Sequence, residues 1–381
     1  MKQYIIPIFI PYSGCPHRCI FCNQKKITGE NAYLNTKTIK KTIDNWLSLS
    51  VISYKLSAIG NRQIAFYGGS FTALPLERQE SLLSSVFPYL TDGVIDSIRL
   101  STRPDSITIE NLAILKKYKV KTVELGVQSM DDSVLSLSER GHSADDIRSS
   151  CKLLKSHGFE VGIQIMPGLP GDTFESSLYT AYEVMKLKPD FVRIYPAVVI
   201  KNTGLADLYL SGSFKPLSLG DAVRLAKYLL IRFEVNNIPV IRIGLQPASS
   251  LMEKDVILDG PFHPAFRQLV ESEIAYDMMK HIIKGQGASL PLQVVSRGGK
   301  GQGTTFFISH RELSNFIGQK RSNIKKIESE FDFNVDIKSD SNLKSGEAIF
   351  DNSLKKIYIK RKEVLKEFLS LRATNNAITG N

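Results

Sequence analysis

The chain has 381 residues, of which 43% are hydrophobic and 23% charged; that balance excludes global disorder, and the length suits two domains or one large domain with an appendage. Lys and Arg number 49 against 38 Asp and Glu, a formal charge of +11, which favours a polyanionic partner such as RNA. The longest apolar stretch near the start, residues 4–10, falls far short of the about 20 residues needed to cross a bilayer. Only Lys2 precedes it and no small-residue cleavage site follows, so it makes no secretory signal; the expected address is cytoplasmic, without membrane contact.

Strand-like runs then alternate with helical patterns. Residues 5–10 read as a strand, 36–49 as a helix, 63–67 as a strand, 76–87 as a helix and 97–101 as a strand. A helix over 109–118, a strand over 121–126, a helix over 144–157 and a strand over 159–166 follow. A helix over 174–186, a strand over 190–195, a long helix over 218–236 and a strand over 239–243 complete the series. The strands are mostly continuous apolar runs, as when both faces are covered. Such alternation predicts an α/β fold with a parallel sheet and right-handed crossovers. Six or seven units within residues 1–245 predict a full or partial βα barrel, with its chemistry at the carboxyl ends of the strands. The unusual residues fall there: a cysteine cluster after the first strand, Gly68-Gly69 after the second, Arg103-Pro104-Asp105 after the third, Gly126-Val127-Gln128-Ser129 at the fourth and Pro167-Gly168-Leu169-Pro170-Gly171 after the fifth. Beyond residue 245 the alternation stops. Residues 246–296 read as a helical connection, with a helix over 266–283, and residues 297–381 as a smaller α/β module. That module holds 16 Lys plus Arg against 10 Asp plus Glu, so more than half of the net positive charge sits in it.

Four cysteines make no disulfide framework. Cys151 falls in a helical pattern with Ile147 and Leu154, where a cysteine packs as a small hydrophobe. Cys15, Cys19 and Cys22 form a CxxxCxxC loop. A structural zinc site usually takes four ligands; His17 could add a nitrogen, at the cost of a strained tetrahedron. Three thiolates suit a cubane iron–sulfur cluster with one iron left open to a ligand.

With that spacing the chain resembles the radical S-adenosylmethionine (SAM) superfamily. The likeness continues through Phe66-Tyr67-Gly68-Gly69-Ser70-Phe71-Thr72, Thr102-Arg103-Pro104-Asp105, Leu125-Gly126-Val127-Gln128-Ser129, Arg140-Gly141-His142 and Met166-Pro167-Gly168-Leu169-Pro170. That series is most similar to the radical SAM core of the Elongator catalytic subunit and is partly shared with oxygen-independent coproporphyrinogen oxidase. It covers residues 4–245, with no acetyltransferase domain apparent after it. The resemblance implies a partial (βα)6-type radical SAM barrel, a 4Fe–4S cluster held by Cys15, Cys19 and Cys22, and reductive cleavage of SAM to a 5′-deoxyadenosyl radical. It implies an external electron donor such as flavodoxin or ferredoxin. It also implies cofactor contacts from Gly68, Gly69 and Ser70, from Arg140 to the SAM carboxylate, from Gln128 and Gln164 to carboxylate or ribose, and from the backbone at Met166 to the adenine. Phe21 shields the cluster, and Tyr195 and Gln246 lie near strand ends where they can face substrate. The Elongator-like pattern has an acidic residue before its Thr-Arg-Pro-Asp segment, where this chain has Ser101.

In the last module, Arg297-Gly298-Gly299-Lys300-Gly301-Gln302-Gly303 reads as a turn or connection; with no Ser or Thr after Lys300 it is no P-loop. Ile317-Gly318-Gln319-Lys320-Arg321-Ser322-Asn323-Ile324 resembles the helix–loop–helix of a KH module, followed by a strand over 334–338. Its second loop glycine is replaced by Arg321. Lys320, Arg321, Lys325 and Lys326 are the candidate phosphate contacts. The leading expectation is therefore a radical SAM enzyme modifying tRNA or another RNA. The alternatives are a radical SAM enzyme acting on a small, porphyrinogen-like metabolite, and a non-enzymatic cluster-bearing RNA-binding protein.

Overall fold

The computed structural model describes residues 4–10, 12–16, 18–28, 35–52, 61–285, 304–352 and 356–378. Six strands come first in chain order: β1 (Tyr4–Phe9), β2 (Arg62–Tyr67), β3 (Ser97–Thr102), β4 (Val120–Gln128), β5 (Glu160–Ile165) and β6 (Phe191–Ile194). A short β7 (Val199–Ile200) pairs antiparallel with β9 (Ile257–Asp259), and between them β8 (Val240–Ile243) returns to the main sheet. That sheet has seven parallel strands in the order β1-β2-β3-β4-β5-β6-β8. The sequential order is what right-handed βα crossovers produce. The expected strands and the helices between them appear within a few residues of their predicted bounds.

The helices begin where the sequence supplies caps. Thr108, Ser143 and Thr173 each close a capping box with the residue three positions on, Asn111, Asp146 and Ser176, satisfying first-turn N–H groups that the helix itself cannot. Cys151, on the helix Ala144–Ser156, is buried, and burial pushes its thiol up to about 12; it is the packed hydrophobe expected.

The sheet is curled, and one hydrogen bond demonstrates it. β2 and β6 are four strand spacings apart, about 19 Å across a flat sheet. Yet Arg193 Nη2 of β6 donates to Tyr67 Oη of β2 at 3.1 Å. Side chains of one face can converge so only if that face is concave, as in a partial barrel. The other face buries Ile64, Leu100, Val123, Val161 and Ile194 completely, each supplying about 25 cal/mol per Å² of apolar area removed from water.

The chain divides into two compact units, Met1–Ala222 with Ile238–Pro264, and Val223–Asn237 with Ala265–Asn381. The second contains the helix Phe266–Lys284 and the strands β10 (Thr304–Ser309), β11 (Val335–Asp340), β12 (Glu347–Asp351) and β13 (Lys356–Lys360). They form one sheet in the order β11-β10-β12-β13, with β10 and β11 parallel. The parallel pair is joined through the helices Leu313–Ile317 and Ser322–Phe331, the helix–loop–helix expected from the sequence. Arg361 braces this unit by pairing with Glu234 and Glu271, both at 2.8 Å. Among the described residues no helix is long and apolar enough to cross a membrane. Residue 17 and the glycine-rich residues 297–303 lie outside the described residues.

Candidate active site

The cysteine loop lies at the carboxyl end of β1 and is held from several sides. Cys15 N–H donates to the Tyr12 carbonyl at 3.2 Å, and Cys22 N–H to the Cys19 carbonyl at 3.0 Å. Gly14 adopts φ +74, and a Cβ there would sit 2.1 Å from the Ser70 carbonyl oxygen, so only glycine lets the loop lie against the segment after β2. Cys19, Ile20 and Phe21 are buried in an apolar cluster with Val134, Leu169 and Leu205. The loop is tied there by Leu205 N–H to the Ile20 carbonyl at 2.7 Å. Phe21 thus packs beside the sulfurs, as a shielding residue would. Burial, then the proximity of Cys19 and Cys15, pushes the Cys22 thiol up to about 12. Burial and Cys19 raise Cys15 as well. A group that favours the thiolates is needed to offset this, and a positive ion or guanidinium does so. Arg140 supplies one: its Nη1 lies 2.8 Å from Cys19 Sγ.

Arg140 itself is buried and locked. Its Nη2 donates to the Gly126 carbonyl at 2.6 Å, and its guanidinium lies 5.9 Å from the Phe21 ring centroid. Arg103 donates to the Arg140 carbonyl and forms a two-pronged pair with Asp105, with Nε–Oδ1 and Nη2–Oδ2 both 2.9 Å. The Arg-Pro-Asp segment is therefore a brace that fixes the Arg140 turn, a role its sequence did not announce. Ser70 completes the brace. Its hydroxyl meets Thr102 Oγ1 at 3.1 Å and accepts from Arg103 N–H at 3.2 Å, so that hydroxyl is committed to the loops. Gly68 has φ +83. At Gly69 the space a Cβ would need is taken by the Ile10 and Ser13 carbonyl oxygens, 2.4 and 2.6 Å away, so the close approach that Gly69 permits is to the cysteine loop.

Gln128 ends β4 at a register shift between Gly126 and Gln128, with φ 71; a non-glycine residue in that region marks local strain held by its surroundings. It is buried and its Oε1 has no partner. Its carbonyl accepts from Met166 N–H at 2.9 Å, which brings the Met166 backbone to the same place. Gln164 is half-buried on β5 in register with Gly126. The candidates Cys15, Cys19, Cys22, Gly68, Gly69, Ser70, Gln128, Arg140, Gln164 and Met166 thus gather at the carboxyl ends of β1 to β5. Gln246 follows β8 as an exposed residue.

His142 lies beneath Arg140 with its side chain fully enclosed, 4.0 Å from Asp105. Burial, then Arg140 and Arg103, pushes its imidazole down to about 4, so it is neutral at pH 7. An unfolded chain regains the ordinary value of about 6.5. Folding stability from this group is therefore full above about 6.5 and falls as pH drops towards about 4, because only the unfolded state takes up the proton. His142→Gln should flatten the pH dependence of the melting temperature in that window; an unaltered slope would remove His142 as its source.

Deeper on the concave face lies a network of which only Tyr195 was among the candidates read from the sequence. Glu124 of β4 accepts from Arg99 Nη1 at 3.0 Å and from Tyr67 Oη at 3.1 Å, and its Oε2 lies 2.7 Å from Arg193 Nε. Arg193 Nη1 reaches Tyr195 Oη at 3.2 Å. The Arg99 guanidinium lies 4.8 Å from the Phe191 ring centroid. A Cβ at Gly162 would come within 2.3 Å of that same ring, so the ring occupies the space the glycine leaves.

Comparison with known proteins now bears on this site. The radical SAM superfamily model matches residues 9–180, and the radical SAM C-terminal domain model matches residues 189–276. The chain belongs to the radical SAM superfamily. It is 26% identical to a tRNA uridine(34) acetyltransferase of Methanocaldococcus infernus and 30% identical to Elongator complex protein 3 of Homo sapiens, in each case over 59% of this chain and 48% of the relative. It is 31% identical to an uncharacterized protein of Methanocaldococcus jannaschii over 57% of this chain and 67% of that protein. The chain spans about half the length of the first two relatives. The structure of Methanocaldococcus infernus Elp3 with an N-terminal deletion aligns with a TM-score of 0.54 at 21% identity, covering 73% of this chain and 64% of that one, and shares its fold.

As a radical SAM family member the chain is an enzyme, and the cofactors of the family are a 4Fe–4S cluster and SAM. The residues present fit both. Cys19 lies close enough to Cys15 and Cys22 to raise both thiols, and a guanidinium stands 2.8 Å from its sulfur. Arg140 Nε and Gln128 Oε1 are buried without partners, a donor and an acceptor left open beside the sulfurs.

In the second unit, Gly318 has φ 74, and Lys320 and Arg321 follow at φ 51 and 62. Arg321 thus takes the left-handed conformation for which glycine is the usual residue. Lys320, Arg321 and Lys325 are exposed, and among the described residues they make no ion pair. Lys326 differs: it pairs with Glu273 at 2.8 Å and lies 5.1 Å from the Tyr276 ring centroid.

Proposed function

We propose that this chain is a radical SAM enzyme that cleaves SAM reductively to modify RNA, with tRNA the first substrate to test. The convergence of Cys15, Cys19 and Cys22 with Arg140 carries the reading. In it the three cysteines hold the cluster, Arg140 binds the methionyl carboxylate, Gln128 accepts through its open Oε1 from a ribose hydroxyl, the backbone at Gly68 and Gly69 passes beside the methionyl group, and Gln164 and Met166 face the nucleoside. When bound, the cluster and SAM together supply the electron and the carbon radical that remove a hydrogen from the substrate. The chain's own residues orient the sulfonium nucleoside and exclude water: Phe21, Leu169 and Leu205 wall the sulfurs in carbon, while the Arg103–Asp105 brace fixes the guanidinium. The RNA reading is supported by the tRNA uridine(34) acetyltransferase similarity and by the unpaired cations of the Gly318–Arg321 loop.

The test is anaerobic reconstitution with SAM and total RNA, followed by mass spectrometry of nucleosides. A new modified nucleoside supports the reading. Cleavage of SAM with no change in RNA would move the assignment to a small metabolite.

Two variants probe the parts separately. Arg140→Lys keeps the charge but loses the planar fork that suits a carboxylate; SAM affinity measured by equilibrium dialysis should fall about tenfold while iron content holds. Charge reversal at Lys320 and Arg321 together should weaken RNA binding and lower its logarithmic salt slope by about two. A slope unchanged from the parent protein would place RNA contact elsewhere.

A further inference from the structure

The concave face carries more positive charge than it neutralises. Glu124 is the carboxylate that both Arg99 and Arg193 contact. The side chains of Arg99 and Glu124 are only 4% and 3% exposed, so that pair is sealed and close to neutral by itself. Arg193 is the surplus. Arg242 of β8 stands in register with Arg193, and the next pair, Ile194 and Ile243, is buried. Residues in register on neighbouring parallel strands share a face, and successive residues alternate; Arg242 therefore adds its charge beside Arg193. Among the described residues Arg242 has no ion pair or hydrogen bond. Arg193 thus shares the single Glu124 carboxylate with Arg99, and Arg242 has none among the described residues, so two guanidiniums on neighbouring strands carry an excess of positive charge, although buried cations are ordinarily paired.

The surroundings give this pair a direction. Tyr67, Gln164, Arg193, Tyr195 and Arg242 are all half-buried, unlike the sealed Arg99 and Glu124. Phe191 packs into the space left by Gly162, under the Arg99 guanidinium. The lateral row runs Gly126, Gln164, Arg193, Arg242 across β4, β5, β6 and β8. Gly126 is where Arg140 Nη2 is held. Arg193 is two strands from it, about 10 Å along the row, which is the span of one small molecule or one nucleotide.

We propose that Arg193 and Arg242, with the Tyr195 hydroxyl, form a subsite for an oxyanion, carboxylate or phosphate, of the molecule that reacts in this barrel. Planar guanidiniums match either group with paired hydrogen bonds, and the Tyr195 hydroxyl, which accepts from Arg193, can donate its own proton to the same oxygens. The subsite rests on the reading that the concave face is the reaction chamber, and it deepens that reading by naming the group the substrate presents. A phosphate would come from a nucleotide, a carboxylate from an organic acid or acyl donor.

The experiment is isothermal titration of the anaerobically reconstituted full chain with inorganic phosphate and, separately, with acetate, at matched ionic strength. One of the two should bind saturably with one site per chain. Arg242→Gln and Arg193→Gln should each weaken it at least about tenfold. Arg242 has no partner to lose, so its variant keeps the test open if Arg193→Gln folds poorly. The variant Lys117→Ala, which removes an exposed cation paired with Glu80, should bind as the parent does, which separates this site from general surface charge. Saturation by phosphate alone assigns a nucleotide phosphate, and by acetate alone a carboxylate. No saturable binding, or binding unchanged in Arg242→Gln, overturns the proposal. None of these readouts requires SAM cleavage, so loss of the radical SAM reading would register separately as absent cluster or absent cleavage in the parent protein.

Discussion

Cys19→Ala should leave iron at background after anaerobic reconstitution, abolish the visible absorbance of the cluster and reduce SAM cleavage below detection. Of the three sulfurs Cys19 is the central one: it lies close enough to raise both Cys15 and Cys22, and it accepts the Arg140 contact at 2.8 Å. Removing it takes away one of the three proposed ligands and the sulfur that Arg140 faces. A four-iron cluster with an open corner has no ligand to spare. Cys151→Ala is the matched control. That thiol is buried on a helix in the hydrophobic layer, so its loss should cost about 1 kcal/mol in packing and nothing in iron. Iron measured by colorimetry in both variants decides the matter. Retained iron in Cys19→Ala, or lost iron in Cys151→Ala, would refute the ligand assignment.

How much of this was legible in the sequence depends on which side of each strand a residue faces. The cysteine spacing, the glycines after β2 and the alternation of strands and helices were readable because each is local: a loop, a turn, a period. The concave face was not, because the strands read as continuous apolar runs. Their polar residues and glycines recur two apart, at Arg99 and Ser101, Glu124 and Gly126, Gly162 and Gln164, Arg193 and Tyr195. That period marks one face of a strand, and it was the available signal for a polar lumen. What period alone could not give is that Tyr67, Arg99 and Arg193, from three strands, would meet the single carboxylate of Glu124 on a fourth, since this requires curvature. The brace from Arg103 to Arg140 is hidden for a similar reason: the two residues are 37 apart in sequence and meet only when the loops after β3 and β4 converge. The pairing of β7 with β9 lay below the same threshold, since two and three residues are too few to show any period.

Glu124→Gln tests that convergence through stability. The substitution keeps shape and removes one charge. In the parent protein one carboxylate sits among two guanidiniums and a phenol, at 2.7 to 3.1 Å. An amide there leaves Arg99, 4% exposed, without a counter-ion and faces it with a group that also carries donors. Stranding a buried charge in this way costs about 3–5 kcal/mol. Arg193→Gln acts on the same network with the opposite charge outcome. It leaves Arg99 and Glu124 as a neutral pair and removes a cation whose side chain is 12% exposed, so its cost should be near the about 1–3 kcal/mol of a lost charged hydrogen-bonding partner. The comparison therefore separates charge balance from simple loss of contacts, because both variants delete members of one network. Urea unfolding followed by circular dichroism should give a clearly lower midpoint for Glu124→Gln than for Arg193→Gln. Combining the two substitutions should recover part of the loss, since removing the second guanidinium relieves the repulsion that the first substitution creates, a coupling expected between residues in direct contact. Equal midpoints for the two single variants, with additive loss in the double, would mean that the carboxylate is not what holds the cations of the barrel together.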